Sequence, residues 1–306
     1  MYMIITGKKF SKPAMSRVKN GDVILAEEKA PEKRTRLDLI LVKRYPEYNR
    51  STLQNFIKSG YVKINGKTIT RPNAEIITEE NAPLEIKLTV PKRETPQDLK
   101  PIYEDDNVIV INKPAGLLSM AKGQFTKEST LEDYGLLVHR LDRDTSGVVI
   151  LAKNEATQKM LRNQFQERKT HKTYYAIIQG HPKLDEALID LPIARNLKHP
   201  TTFMVDPKGK EAKTHYKVIK TSQSGKFSLL ELKPVTGRTH QLRVHLKYLG
   251  CPILGDPVYG PEKSPKTRLF LHAANLEISI PGPDGNVRKA FTAALPPEFQ
   301  EFMEKN

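Results

Sequence analysis

Residues 139–152 read HRLDRDTSGVVILA: a charged stretch that gives way at Gly147 to a β-branched, apolar run. The run is short and bounded by a polar turn, so it reads as a buried strand with a loop at its entrance. In that loop Asp142 stands between Arg140 and Arg143, with Asp144 and a Thr-Ser-Gly turn behind it. An isolated aspartate in a loop is usually a turn residue or a helix cap, and a charged loop between two strands would account for it. The neighbours argue for more. A fixed cation keeps a carboxylate ionised, and only the ionised form attacks. Surrounding cations also gather a polyanion. The arrangement suits a nucleophile better than a proton donor.

Working outward, NVIVIN (107–112), KTYYAIIQG (172–180), AKTHYKVI (212–219) and KFSLLELKPV (226–235) are further strand candidates. A helix is predicted from Glu155 to Arg168, with Ala156, Leu161 and Phe165 on its apolar side. Another follows Thr236-Gly237, where Leu242, His245, Leu246 and Leu249 recur at helical spacing before Gly250. Many strands with few helices predict an α+β domain over 101–306: a mixed, mainly antiparallel sheet with flanking helices.

Upstream, RLDLILVKRY (36–45) places Leu37, Ile40 and Leu41 on one helical face. In NRSTLQNFIKSG (49–60), Ser51 with Gln54 fits a capping box, Leu53, Phe56 and Ile57 form a stripe, and Gly60 closes the helix. YVKINGKTI (61–69) then turns at Asn65-Gly66, a strong hairpin signal. Helix, helix, hairpin predicts a small domain over 34–90. A proline-rich linker over 91–100 follows it, and an extension of no assigned fold, 1–33, precedes it. Residues 34–71 carry nine Lys/Arg against two acids, a net +7 out of +15 for the 306-residue chain. That excess points to nucleic acid first. Cys251 is the only cysteine, which excludes an intrachain disulfide and fits a reducing, cytoplasmic setting. No signal peptide or membrane helix is predicted.

Three more stretches could carry chemistry. GRTHQLRVH (237–245) crowds Arg238, His240, Arg243 and His245 at the head of a helix, as a phosphate site would. The two histidines lie five apart, not at the spacing of a helical zinc pair, so no metal is expected. INKPAGLLS (111–119) turns at Lys113-Pro114. In HKTYYAI (171–177), Lys172 and Tyr174 share a strand face and Tyr175 takes the other. A tyrosine there is ordinarily core, but beside a nucleotide site it can stack on a base. No glycine-rich phosphate loop is present, so no nucleotide cofactor is expected.

In this order NKPAG, HRLDRDTSG, KTYYA and GRTHQLRVH resemble the signature stretches of the RluA-like RNA pseudouridine synthases. LGCPILGDPVYG (249–260) and RLFLHA (268–273) continue the resemblance over roughly residues 100–300. RSTLQNFIKSGYVKINGK resembles the small RNA-binding domain named after ribosomal protein S-four. The segment MAKGQFTKEST (120–130) departs from the usual pattern. The resemblance implies isomerisation of uridine in RNA, most readily large-subunit ribosomal RNA, by a cytoplasmic monomer without cofactor or metal. A transfer-RNA substrate, or a catalytically silent assembly factor, are the alternatives. A nuclease is disfavoured, because neither a metal site nor a histidine pair is evident. The implied catalytic residues are Asp142, Tyr174 and Arg243, with Arg238 second to Arg243 as partner of Asp142. The implied substrate contacts are Arg140 (filling the place of the extruded uridine), Arg238, His240, Lys113 and Lys172. Arg36, Arg50, Ser51, Lys58, Lys63 and Lys67 are the implied RNA contacts of the small domain. Attack on the ribose anomeric carbon, attack on carbon six of uracil, and a glycal route with Asp142 as base all remain open.

Overall fold

The computed structural model describes residues 33–78, 85–89, 96, 98–121, 128–261 and 267–306. The expected extension, save Lys33, and most of the expected linker lie outside them. The chain divides into two compact units after Thr89. Among the described residues, no helix is long and apolar enough to cross a membrane.

The first unit runs β1 (Lys33–Arg36), α1 (Leu37–Arg44), α2 (Arg50–Lys58), β2 (Val62–Ile64), β3 (Lys67–Thr68), β4 (Glu75–Thr78) and β5 (Ile86–Leu88). Leu37, Leu41, Leu53, Phe56 and Ile57 are buried, as the helical periodicity predicts. Asn65 and Gly66 both take positive φ, 47° and 79°, the backbone that a two-residue turn between right-twisted strands demands. The start of α2 differs from expectation. Asn49, not Ser51, is the cap, its Oδ1 accepting the Thr52 N–H at 2.9 Å. Gln54 does not reach back to close a capping box. Its Nε2 donates to Asp38 Oδ2 at 2.8 Å, because that carboxylate is fully buried and needs donors.

The second unit contains β6 (Pro101–Glu104), β7 (Val108–Lys113), β8 (Leu136–Leu137), β9 (Ser146–Ala152), α3 (Glu155–Gln166), β10 (His171–Gln179), β11 (Glu186–Asp190), β12 (Ile193–Arg195), β13 (Phe203–Val205), β14 (Lys213–Thr221), β15 (Phe227–Pro234), α4 (Gln241–Tyr248), β16 (Leu271–Gly282), β17 (Gly285–Thr292) and α5 (Pro297–Lys305). Ten strands form one sheet in the order β11-β14-β15-β10-β16-β9-β7-β6, with β17 beside β16 and β8 beside β9. β12 and β13 form a separate hairpin. Within the ten-stranded sheet the pairings are antiparallel except β9 with β16, which run parallel where Ser146 meets His272 and Gly147 meets Ala273. At that junction Gly147 sits at φ 120°, and a Cβ there would lie 2.1 Å from the Ala273 carbonyl oxygen. Only glycine permits so close an approach. The loop 139–145 is thereby delivered to the middle of the sheet.

Every residue of β9 is buried. Val148 and Ile150 pack with Leu161 of α3, Ile278 and Phe291 on one side of the unit. Leu242 and Leu246 of α4 pack with Phe299 and Met303 of α5 against Ile177 and Leu230 in another cluster. In α3 Leu161 is buried and Phe165 packs on the core, as predicted, but Ala156 is exposed and Thr157 takes the buried place one residue on. Leu249, predicted on the buried side of α4, lies at its cap and is exposed.

Candidate active site

The loop before β9 is held at three points. The His139 ring stacks on Phe165 at 4.5 Å, and its Nε2 accepts the Ile150 N–H at 3.1 Å. Burial, helped by the Lys172 charge, pulls the His139 pKa down to about 3, so the ring is neutral and free to accept. Ser119 Oγ donates to the Leu141 carbonyl at 2.7 Å and accepts its N–H at 3.1 Å. Lys113, expected at the substrate, is instead wholly buried. Its Nζ donates to the carbonyls of Pro114, Leu117 and Arg143, each at 2.8–2.9 Å. It is a clamp on the Asp142 loop and does not line the cleft.

The clamps leave the Asp142 side chain facing a small cleft of about 120 Å³. That is well below the ~300–1,000 Å³ of pockets for drug-sized ligands and suits one flat ring. Arg140, Lys172, Tyr174, Arg238, His240, Arg243 and Leu271 also line it. Of the two arginines flanking Asp142 in sequence, only Arg140 is at the cleft, its Nη2 on Thr239 Oγ1 at 3.1 Å. Arg143 turns away, donating to the Gly116 carbonyl and pairing with Glu128 at 2.9 Å. Alternate residues of an extended loop point to opposite sides. The cation beside the nucleophile candidate therefore comes from 101 residues away: Arg243 Nη1 lies 3.0 Å from Asp142 Oδ2.

Arg243 on α4 is 5% exposed and serves two acids. Its Nε and Nη2 form a fork with the two oxygens of fully buried Asp256, at 2.7 and 2.8 Å. Asp256 Oδ1 also accepts the N–H groups of Val258 and Tyr259, both at 2.9 Å. Burial opposes the guanidinium charge, but Asp256 and then Asp142 more than offset it and raise its pKa. Asp256 was not among the residues expected at the site. It lies in GDPVYG, a turn that is no phosphate loop, and nothing in its spacing ties it to Asp142. Tyr259, in the same turn, was not expected either. Its ring lies 5.0 Å from the Arg243 guanidinium carbon, a cation–π contact.

Among the described residues the one hydrogen bond to the Asp142 carboxylate falls on Oδ2, and His240 Nε2 lies 3.9 Å from the same oxygen. Among the described residues no group bonds Oδ1. One oxygen is anchored and the other is left unbonded, on a residue that lines the cleft. Tyr174, on β10 between Leu232 and Ala273, also lines the cleft. Burial and the Asp142 charge hold its phenol above the usual pKa, so the hydroxyl keeps its proton. Lys172 lines the cleft too despite a bulge between Thr173 and Tyr174, and burial lowers its pKa to about 8. Arg238 Nε is bound to the Glu211 carbonyl at 2.8 Å. His245 is buried, with its ring nitrogens on Thr214 Oγ1 and the Leu191 carbonyl, and is part of the core.

In the first unit, Arg36 and Arg50 both bind Asp38, with Nη2–Oδ2 distances of 3.0 and 2.8 Å. Burial raises the Asp38 pKa, but the bonds from Arg36, Gln54 and Arg50 outweigh it and hold the carboxyl at about 2. These two arginines are fixed to the fold. Ser51, Lys58, Lys63 and Lys67 are exposed. Lys63 stands directly opposite Lys87 across β2 and β5, a like-charge pair that an anion would relieve.

Residues 107–248 match the RNA pseudouridylate synthase family, and residues 35–76 match the S4 domain. The chain is 37% identical to an RNA pseudouridine synthase of Aquifex aeolicus over 80% of its length and 84% of the relative's. It is 36% identical to ribosomal large subunit pseudouridine synthase D of Borreliella burgdorferi over 89% and 90%, and 31% identical to the protein of that name in Escherichia coli K12 over 88% and 90%. Among solved structures it resembles human RNA pseudouridylate synthase domain containing 1, with TM-score 0.55 and 26% identity over 69% of this chain and 97% of the other.

Proposed function

This chain belongs to the RNA pseudouridine synthase family, and from that premise we propose that it isomerises specific uridines of large-subunit ribosomal RNA, with Asp142 as the reacting carboxylate. The enzyme is an isomerase, and it binds RNA through its S4 domain. The observation that carries the assignment is the asymmetry of Asp142. Arg243 secures Oδ2, while Oδ1 has no hydrogen bond among the described residues, in a side chain that lines a cleft the size of one ring together with Tyr174.

The reaction breaks the bond between the ribose anomeric carbon and uracil N1, forms one from the same carbon to uracil C5, and moves a proton from C5 to N1. Atoms and oxidation level are unchanged, so the chemistry requires no cofactor. Asp142 Oδ1 supplies the nucleophile for attack on the anomeric carbon or on uracil C6, or the base for a glycal route. A uracil reaches this cleft only after leaving its helix stack, and Arg140 at the rim is placed to occupy the gap. Tyr174 then stacks on the ring, and its hydroxyl, which keeps its proton, orders the water that takes the proton from C5 as N1 gains one. Lys172, Arg238 and His240 line the remaining wall for contacts to the base or its phosphates.

The large-subunit assignment rests on the names of the relatives, and the exposed lysines of the S4 domain, with Lys63 opposite Lys87, support an RNA partner. Mapping pseudouridines in total RNA from a strain lacking this gene tests it. The expected result is the loss of one or a few large-subunit positions, restored by the wild-type gene. Loss confined to transfer RNA would overturn the substrate assignment.

A further inference from the structure

His240 adopts φ 56° at the head of α4, a left-handed conformation that costs a non-glycine residue energy and persists only where the surroundings enforce it. Its ring is held between two aromatic rings, Phe203 at 5.6 Å and Tyr259 at 5.5 Å, both nearly perpendicular to it. Its Nδ1 lies 2.8 Å from the Tyr259 hydroxyl. That hydroxyl also accepts the Phe203 N–H at 2.9 Å. Tyr259 is 4% exposed, so its own proton needs a protein acceptor. Nδ1 is the partner at hand. The ring proton must then sit on Nε2, the nitrogen that faces Asp142 Oδ2 at 3.9 Å.

We propose that Tyr259 is a positioning residue that fixes His240 as the neutral Nε2–H tautomer, so that His240 donates to Asp142 Oδ2 beside Arg243 when the target uridine enters. Catalytic hydrogen bonds are often long in the empty site and tighten on substrate binding. With both donors on Oδ2, Oδ1 is the oxygen left to react. Burial lowers the His240 pKa, in keeping with a neutral ring. The same hydroxyl ties this arrangement to the β12–β13 hairpin through Phe203. The inference rests on Asp142 being the reacting carboxylate, a point that Asp142→Asn tests separately.

Two observations test it. Nitrogen-15 spectra of the His240 ring should show Nδ1 unprotonated in the wild type. In Tyr259→Phe, which keeps the ring against Arg243 but lacks the hydroxyl, that signature should disappear, and kcat should fall roughly 10- to 100-fold with little change in KM for the RNA. His240→Gln can place an amide N–H near the Nε2 position, whereas His240→Asn is too short but tolerates the left-handed backbone better. The expected order is therefore Gln above Asn in kcat, but Asn at or above Gln in melting temperature. A purely structural role would rank the two variants alike in both measurements. The inference is overturned if Asn equals or exceeds Gln in kcat, or if Tyr259→Phe leaves either the tautomer or kcat unchanged. Because the spectra are read without turnover, a wrong tautomer is distinguished from a wrong nucleophile.

Discussion

Asp256 is the most exacting test of the shared-arginine geometry. In Asp256→Asn the carbonyl can take the place of Oδ1, keeping the bonds to Arg243 Nη2, Val258 N–H and Tyr259 N–H. The amide NH₂ then faces Arg243 Nε, where a 2.7 Å charge-assisted bond stood, and two donors meet. Losing one such bond in a site 5% exposed or less costs about 2–3 kcal/mol. For a unit of this size that lowers the melting temperature by roughly 5–10 °C. Asp256→Ala removes all four bonds and leaves the buried guanidinium with Asp142 as its one remaining acid, costing ~3–5 kcal/mol. Arg243, no longer pinned along its Nε edge, swings toward Asp142. A displacement on the order of 1 Å is expected to lower kcat by about 10²-fold, with RNA affinity nearly unchanged. Thermal melts and single-turnover kinetics on the full chain read both effects. An Asn variant that melts and turns over like the wild type would refute the view that Asp256 aims Arg243.

Tyr174→Phe should retain RNA affinity and lose turnover, whereas Tyr174→Leu should lose both; full activity in the Phe variant would leave the hydroxyl without a chemical role. Replacing Lys58, Lys63 and Lys67 together by Ala should reduce the slope of log affinity against log salt by about 0.7–0.9 for each phosphate no longer neutralised, while Arg36→Ala should chiefly destabilise the S4 domain by uncovering Asp38; an unchanged slope in the lysine variant would remove those residues from the RNA interface. Acid should act on the two units in different ranges. His139, held at about 3, and His240, His245 and His272, all lowered chiefly by burial, bind fewer protons folded than unfolded. The second unit therefore loses stability as pH falls below ~6.5. Asp38, held at about 2 against an ordinary 3.8, stabilises its unit fully above ~4, and that stabilisation fades only as pH falls toward 2. Amide exchange against pH should show the catalytic unit opening first, and the reverse order would contradict these assignments.

Strands such as β9 and β10 and the Asn65-Gly66 turn were legible because their signals are local: a run of apolar residues, a period, a pair with positive φ. Asp142 was legible for the same reason, as an acid in a polar loop beside a buried strand. What the sequence concealed were choices made by distant partners. Ser51 and Asn49 are both competent caps, and buried Asp38, by drawing Gln54 inward, removes the support for Ser51. Lys113 looks like a free cation until the fold places three carbonyls around it. Arg143 sits beside Asp142 in the chain yet faces Glu128, while Arg243, far away in sequence, supplies the contact. Asp256 and Tyr259 lie in a turn whose composition explains the turn alone, and their chemistry exists only once α4 packs against it.

Whether Asp142 performs the isomerisation is tested most directly with RNA transcripts tritiated at uracil C5, because forming the new carbon–carbon bond releases that hydrogen to water. Asp142→Asn preserves shape and a potential hydrogen bond with Arg243 but removes the charged oxygen. The expected result is a folded variant with near-wild-type RNA binding and no tritium release in single turnover, beside full release by the wild type. Sustained release by the purified Asn variant, free of host enzyme, would contradict it.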